Sequence, residues 1–231
     1  MFGATKPTRS ELVAEIGDVV HDLPAFLAAP LVRRWHQRWG ARPDEIAAEL
    51  PGDDFLPRAQ FRSTRAITIK ASPAHVWPWL VQVGCLRGGF YSDDLLDNLG
   101  QPSAMEIVPR LQHLEVGQWV PMSPAPIPTD TTAFRVHSFE VERSLLWAKP
   151  DSTWCWQLTP VGLDTTRLVT RVRAVYDWRH PMSALFGAFL MEFGDFAMQR
   201  RMLRGIRARA ESLAMTSSGT RVLITAAGAG R

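Results

Sequence analysis

Glu192 and Asp195 stand three residues apart in FLMEFGDFAM, so a helix through them sets both carboxylates on one face, beside Phe189, Phe193 and Phe196. A carboxylate against an apolar wall needs a partner or takes a raised pKa. The pair therefore reads in two ways: as acid/base candidates inside a cavity, or as ions at its edge, bridged to an arginine such as Arg135 or Arg171. A second acidic group lies in RGGFYSDDLLDNLG, residues 87–100. A phosphate loop would set glycines between a buried strand and a helix, with a lysine following. Here Gly88 and Gly89 follow a helical stretch, Asp93 and Asp94 come next, and two aspartates would repel a phosphate. Asp93, Asp94 and Asp97 also lack the glycine-punctuated spacing of a calcium loop. The stretch reads as a turn and a short helix, with Asp93 or Asp94 as N-cap and first-turn acid and Gly100 at its end. On the same reading Phe90, Tyr91, Leu95 and Leu96 line the mouth of a pocket, with Arg87 or an aspartate as its polar handle.

The remaining reactive residues are sparse. His75, His113 and His137 are scattered, with no two at ligand spacing. Cys85 and Cys155 are the only cysteines and show neither metal spacing nor a disulfide framework. No Ser–His–Asp arrangement is readable. The expectation is no metal, no cofactor and no covalent catalysis.

The elements that must position these groups follow from periodicity. Residues 1–50 read as a helical extension. Its first helix, 10–29, has Ser10 as N-cap and Leu12, Val13, Ile16, Val19, Val20 and Leu23 at helical spacing. LVRRWHQRWG presents Leu31, Trp35 and Trp39 on one face and stops at Gly40; PDEIAAEL is a third, short helix. None can bury its stripe alone, so all are expected on the outside of the main domain, 51–214. That domain opens with TRAITIKAS, where Ile67 and Ile69 alternate with Thr68 and Lys70 as in a strand. SPAHVWPWLVQVG is then a helix, with Ser72 as N-cap and Pro73 in the first turn. Past residue 115, QWVPM, TAFRVHSFEV, SLLWAKP, TWCWQLTP and TTRLVTRVRAVYDW are strand-like. In the last, Leu168, Thr170, Val172, Ala174 and Tyr176 face one way and Arg167, Arg171 and Arg173 the other. Such one-sided strands form an antiparallel sheet with one covered face. The cover is a single long helix from Pro181 to about Leu213, with Met182, Leu185, Phe189, Phe193, Phe196, Leu203 and Ile206 as its apolar stripe. Residues 215–231 read as a disordered tail.

Composition narrows the function classes. At 231 residues, 46% hydrophobic and 21% charged, the chain is ordinarily globular. The net charge of +3 rests on arginine, and basic runs such as Arg200, Arg201, Arg204, Arg207 and Arg209 read as solvated helix faces, not as a nucleic-acid surface. ALFGAFLM is too short to span a bilayer and the N-terminus lacks a signal-peptide pattern, so a cytoplasmic location is expected. Nine tryptophans are many for a plain core. Trp147, Trp154 and Trp156, with Phe134 and Tyr176 on neighbouring strands, read either as core or as the wall of a largely apolar pocket.

A strand, short helices, a run of antiparallel strands and a long C-terminal helix make the helix-grip order, an α+β fold. SPAHVWPWLVQVG, RGGFYSDDLLDNLG, VPRLQHLEVG and MEFGDFAMQRRMLRGIRARAE resemble bacterial members of the SRPBCC superfamily, which holds START-type lipid-transfer domains, aromatic polyketide cyclases and the birch-pollen allergen. The resemblance covers roughly residues 50–213 and points to an actinobacterial-type subfamily, in which a tyrosine usually stands at the position of Asp93. It implies a curved sheet wrapped around the long helix with an apolar cavity between them, and supplies no catalytic set. Three readings follow: a binding protein for a lipid or polyketide-like metabolite, lined by the aromatic residues above together with Phe189 and Phe193; a cyclase or aromatase using Glu192 or Asp195; and an interaction module whose N-terminal helices and basic helix end contact a protein or an anionic membrane surface. The oligomeric state is left open.

Overall fold

The computed structural model describes the backbone of residues 33–189, 191 and 194–228, with side chains of 183, 186 and 218–228 left aside. Two short helices come first, α1 (Arg33–Gln37) and α2 (Pro43–Ala47). The first strand, β1 (Phe61–Ile69), precedes α3 (Pro73–Val81), the one-turn α4 (Asp94–Asp97) and a 3-10 turn at Pro109–Leu111. Then come β2 (Trp119–Pro121), β3 (Ala133–Glu140), β4 (Ser144–Lys149), β5 (Ser152–Gly162), β6 (Thr165–Ala174), α5 (Pro181–Phe189) and α6 (Asp195–Gly228). The expected helix over 10–29 lies outside the described residues.

The strands form one antiparallel sheet in the order β1-β6-β5-β4-β3-β2, and this curved sheet with its long C-terminal helix is the helix-grip fold. Alternation decides its two faces. Ile67 pairs with Leu168, Leu168 with Leu158, and Val172 with Trp154, all facing inward. Against them pack Met202, Leu203, Ile206 and Ala210 of α6 and Val76, Trp77, Leu80 and Val81 of α3, in one buried cluster. Burying aliphatic and aromatic side chains at about 1.5–3 kcal/mol each is the main term holding the layers together.

The outer face is where Arg167, Arg171 and Arg173 point, as their alternation requires, yet they are not solvated. Residues 40–57 cross them as a strap. Arg171 donates to Thr64 Oγ1 at 2.9 Å, to the carbonyls of Ala48 (2.8 Å), Glu45 (3.0 Å) and Ile46 (3.1 Å), and to Asp53 Oδ2. Arg173 donates to Asp53 Oδ1 at 3.1 Å and to Leu56 O at 2.7 Å. Arg167 grips both oxygens of Glu45 at 2.7 and 2.8 Å and donates to Gly40 O at 2.6 Å. Burial acts to raise the Glu45 pKa, but Arg167 and Arg42 outweigh it and hold the carboxyl below its ordinary value. Gly40, at φ +70°, turns α1 onto the sheet so closely that a Cβ there would meet Ala66 O at 2.1 Å. The strap runs through the expected domain boundary at 50/51, so the outer face of the sheet is completed from both sides of it.

The C-terminal cover departs from the single helix expected. It is divided into α5 and α6, with π-type turns at Met191 and Gly194. A π turn adds a residue to the helical period and rotates the succeeding turns about the axis. Phe189 and Phe196, seven apart and so on one face of a regular helix, differ in burial: Phe196 is buried and Phe189 is exposed. At the other end α6 continues to Gly228. Residues 215–228 therefore extend the helix where a disordered tail was expected, since propagation costs far less than nucleation. No helix among the described residues is long and apolar enough to cross a membrane.

Candidate functional site

The inner face combines a tryptophan cluster with a buried ion pair. Trp154 and Trp156 project inward from β5 and Trp147 from β4, opposite Trp154 in the register. Trp154 and Trp156 stack with centroids 5.0 Å apart, and Trp147 stands edge-on to them at 5.5 and 5.7 Å. Phe134 adds an edge contact to Trp154 at 6.3 Å. Trp154 Nε1 donates to Thr170 Oγ1 at 2.8 Å, and that hydroxyl donates to Cys155 O at 2.9 Å. The indole N–H groups of Trp147 and Trp156 are buried without a hydrogen-bond partner.

Beside this cluster lies a residue that the sequence reading did not single out. Arg65 pairs with Thr170, which pairs with Trp156, so the three form one row across the inner face. Its Nη1 meets Asp195 Oδ2 at 2.6 Å, and its Nε donates to His36 O at 2.8 Å. Gln199 Nε2, one helical turn beyond Asp195, donates to Asp195 Oδ1 at 2.8 Å, while Gln199 Oε1 is buried without a partner. Asp195 thus has an arginine, but neither of the two anticipated: Arg171 is committed to the strap, and Arg135 stacks on Trp119 at 3.6 Å. The signal for Arg65 was present in TRAITIK, where strand alternation puts it on the face of Ile67 and Ile69. His36 stacks on Phe196 at 3.9 Å, and burial, then Arg65 and Arg200, lower its pKa.

The 84–103 segment packs on the middle of α6, at Gly205 and Arg209. Leu86, Tyr91 and Leu99 hold φ of 58, 59 and 56°, the left-handed region that costs non-glycine residues about 1–2 kcal/mol each. Tyr91 N–H is held by Ser103 Oγ at 3.0 Å, and its phenol donates to Trp79 O at 3.0 Å. Its ring lies against Arg209, 4.6 Å from the guanidinium carbon, and burial pushes its pKa up. Phe90 is buried, Leu95 half-buried and Leu96 exposed. Arg87 donates to Val81 O at 3.0 Å and Trp119 O at 3.3 Å, pinning the loop to α3 and β2. Neither expected cap forms by its side chain: Asp93 stands at the N-cap of α4 without a cap bond, and Ser72 Oγ bonds His75 Nδ1 at 2.8 Å. Tyr176 is half-buried beyond the end of β6, near Gly187 of α5, with its ring edge-on to Trp178 at 6.4 Å. Glu192 and Phe193 lie outside the described residues. Among the described residues no three His, Cys, Asp or Glu come together as a metal site. A cleft of about 220 Å³ lies on the outer face, between α2 and β5–β6, lined by Arg42, Glu45, Gln157, Thr159 and Arg167 among others.

Two expected results arise from this loop. Gly205 of α6 faces it so closely that a Cβ would meet Tyr91 O at 2.2 Å and Tyr91 Cβ at 2.7 Å. Gly205→Ala, which gains about 1 kcal/mol in an ordinary helix interior, is expected to lose about 1–3 kcal/mol through overpacking. Urea midpoints measure it, and a gain would place the Tyr91 loop elsewhere. Asp97 accepts from Ser92 Oγ and Asp93 N, but its Oδ1 is buried without a partner. Burial above all, then Asp94 and Asp93, raises its pKa to about 6. The folded state therefore holds this proton more tightly than the unfolded one, and stability from this group falls as pH rises from about 4 through 6. Asp97→Asn is expected to stabilise the protein at pH 8 by on the order of 2 kcal/mol and to lose that advantage near pH 4. Equal offsets at both pH values would refute it.

No family model matches the chain, and no curated protein sequence matches it. Among solved structures it is similar to a conserved protein of unknown function from Enterococcus faecalis, at 12% identity and a TM-score of 0.39 over 73% of this chain and 94% of that one. It is also similar to a Polyketide_cyc-like protein from Corynebacterium glutamicum, at 14% identity and 0.34 over 68% and 91%. A norcoclaurine synthase point mutant from Thalictrum, in complex with a transition-state analogue, is similar at 13% identity and 0.32 over 65% and 93%. Likeness at this level says nothing of ligand or reaction.

Proposed function

We propose that the chain is a cytoplasmic binding protein of the SRPBCC superfamily, of actinobacterial type, that takes an apolar or aromatic small molecule between the sheet and α6. The observation that carries this reading is the pair of unpartnered, fully buried indole N–H groups of Trp147 and Trp156 within an otherwise apolar wall. A buried donor without an acceptor costs about 1–3 kcal/mol, and native interiors leave few such groups without a reason. An oxygen-bearing aromatic ligand satisfies both donors while its ring packs on the stacked indoles. The strained Tyr91 segment is the natural gate, since strain of this kind concentrates at ligand clamps. The cyclase alternative needs a cavity carboxylate able to exchange a proton, and the commitment of Asp195 to Arg65 weighs against it.

Native mass spectrometry of the purified protein tests the proposal. A co-purified small molecule is expected, present under native spraying and absent after denaturation, with its occupancy reduced in Trp147→Phe and Trp156→Phe. Absence of any adduct, together with no thermal shift from aromatic ketones, phenols or fatty acids, would end the binding reading.

A further inference from the structure

Among the inward positions of the six strands two carry charge, and both are cations: Arg65 on β1 and Lys149 on β4. Lys149 stands two residues after Trp147 and opposite Ser152, so strand alternation puts it on the tryptophan face. Its Nζ lies 5.7 Å from the centre of the Phe134 ring, within range of a cation–π contact. Phe134 in turn meets Trp154 edge-on. The lysine is therefore the charged end of the aromatic wall, with a side chain 17% exposed.

The two cations differ in what holds them. Arg65 is closed off with Asp195 in the interior. The counter-ion of Lys149 is Asp151 Oδ1 at 2.7 Å, on the turn between β4 and β5, with a side chain 55% exposed. That oxygen also accepts from Ser152 Oγ at 2.9 Å, so Asp151 keeps a partner and its contact with water when the lysine leaves it. An ion pair with one member half in water adds little stability and is readily exchanged. Lys149 can thus turn to another anion without stranding a charge.

The neighbouring donors require the same kind of atom. On β4 and β5 the buried side-chain groups without a partner are the indole N–H of Trp147 and of Trp156. An indole N–H and an ammonium only donate, and an ionised carboxylate only accepts. Hydrogen bonds to a carboxylate are also stronger than those to a neutral oxygen. A hydroxyl would bring a proton that none of the three groups can take. Gln199 Oε1, a spare acceptor, sits on α6 beside Asp195.

We infer that the ligand is an aromatic acid, held with its ring on the indole wall and its carboxylate on Lys149. The inference rests on the binding function proposed above and narrows it. Lys149 sets a preference for the ionised acid over neutral aromatic molecules of the same shape.

Isothermal titration of the full-length protein with 2-naphthoate and with 2-acetonaphthone, a neutral ketone of similar shape, tests this. Near neutral pH the acid is expected to bind at least about tenfold more tightly than the ketone. Lys149→Met is expected to remove that preference while leaving ketone affinity within about twofold, and Lys149→Arg to keep most of it. Asp151→Asn removes the competing anion and is expected to strengthen naphthoate binding about threefold or more, without a change for the ketone. It carries the test if Lys149→Met fails to fold. Equal affinity for the two probes in the wild type overturns the inference and leaves the binding function standing. A preference that survives Lys149→Met overturns it as well, because another group must then take the carboxylate. Binding of neither probe also overturns it, and the native mass spectra then decide the binding function by themselves.

Discussion

Replacing Asp195 with alanine is expected to lower the free energy of unfolding by about 3–5 kcal/mol, the cost of stranding one member of a buried ion pair. The side chains of Arg65 and Asp195 are 1 and 4% exposed, so water cannot take the carboxylate's place. Nor do the remaining bonds suffice. Arg65 Nε keeps His36 O, but Nη1 loses its only anion, and Gln199 loses the acceptor of its amide. Because the same guanidinium holds α1 to β1, the loss should also loosen α1, which increased exchange of the His36 amide would report. The paired replacement Arg65→Met with Asp195→Leu is expected to recover most of the loss, since a buried pair exchanged for apolar side chains is often neutral or stabilising. Urea unfolding of the three proteins provides the measurement. A loss below about 1 kcal/mol for Asp195→Ala would mean that the pair behaves as a surface contact.

Asp53→Ala should be comparably severe on the opposite face of the sheet. One carboxylate serves two arginines, taking Arg171 at Oδ2 and Arg173 at Oδ1. Without it, two buried guanidiniums lie side by side on one strand face with only neutral carbonyls and the Thr64 hydroxyl to hold them, and a loss of about 3–5 kcal/mol is expected. Asp53→Asn keeps an acceptor but not the charge and should lie between. A chain beginning at Phe55 lacks both Asp53 and Glu45, so it is expected to show no cooperative thermal transition by circular dichroism. A stable fold in that shortened chain would show that the strap is dispensable.

The contrast between these two sites also shows what a sequence can disclose. Period-two alternation foretold that Leu168, Thr170 and Val172 share a face and that Arg167, Arg171 and Arg173 take the other, because side-chain direction in a strand is local. The same parity put Arg65 inside, where only its charge was out of place. What alternation cannot carry is the partner: Arg65 meets Asp195 across 130 residues and Arg171 meets Asp53 across 118. The inward or outward choice along the last helix was equally hidden. A stripe from Met182 to Ile206 is regular in spacing, yet it is exposed at Met182, Leu185 and Phe189 and buried at Phe196, Leu203 and Ile206. The short helix in RGGFYSDDLLDNLG was legible from its acids and closing glycine. Its left-handed Tyr91 was not, since the partners that hold it, Ser103, Trp79 and the bare backbone of Gly205, stand 12 or more residues away.

The stacked indoles have an optical consequence. Trp154 and Trp156 sit 5.0 Å apart at an interplanar angle of 25°, close enough for their electronic transitions to mix into states shared between the two rings. A pair offset by such an angle is chiral as a unit, and its mixed states rotate polarised light in opposite senses. The protein should therefore carry a two-signed ultraviolet dichroism band from this pair, with Trp147 of β4 coupled to it at 5.5 and 5.7 Å. That band reads the spacing of two rings, not the average helix content, and it would collapse if either ring turned while the rest of the fold stayed in place.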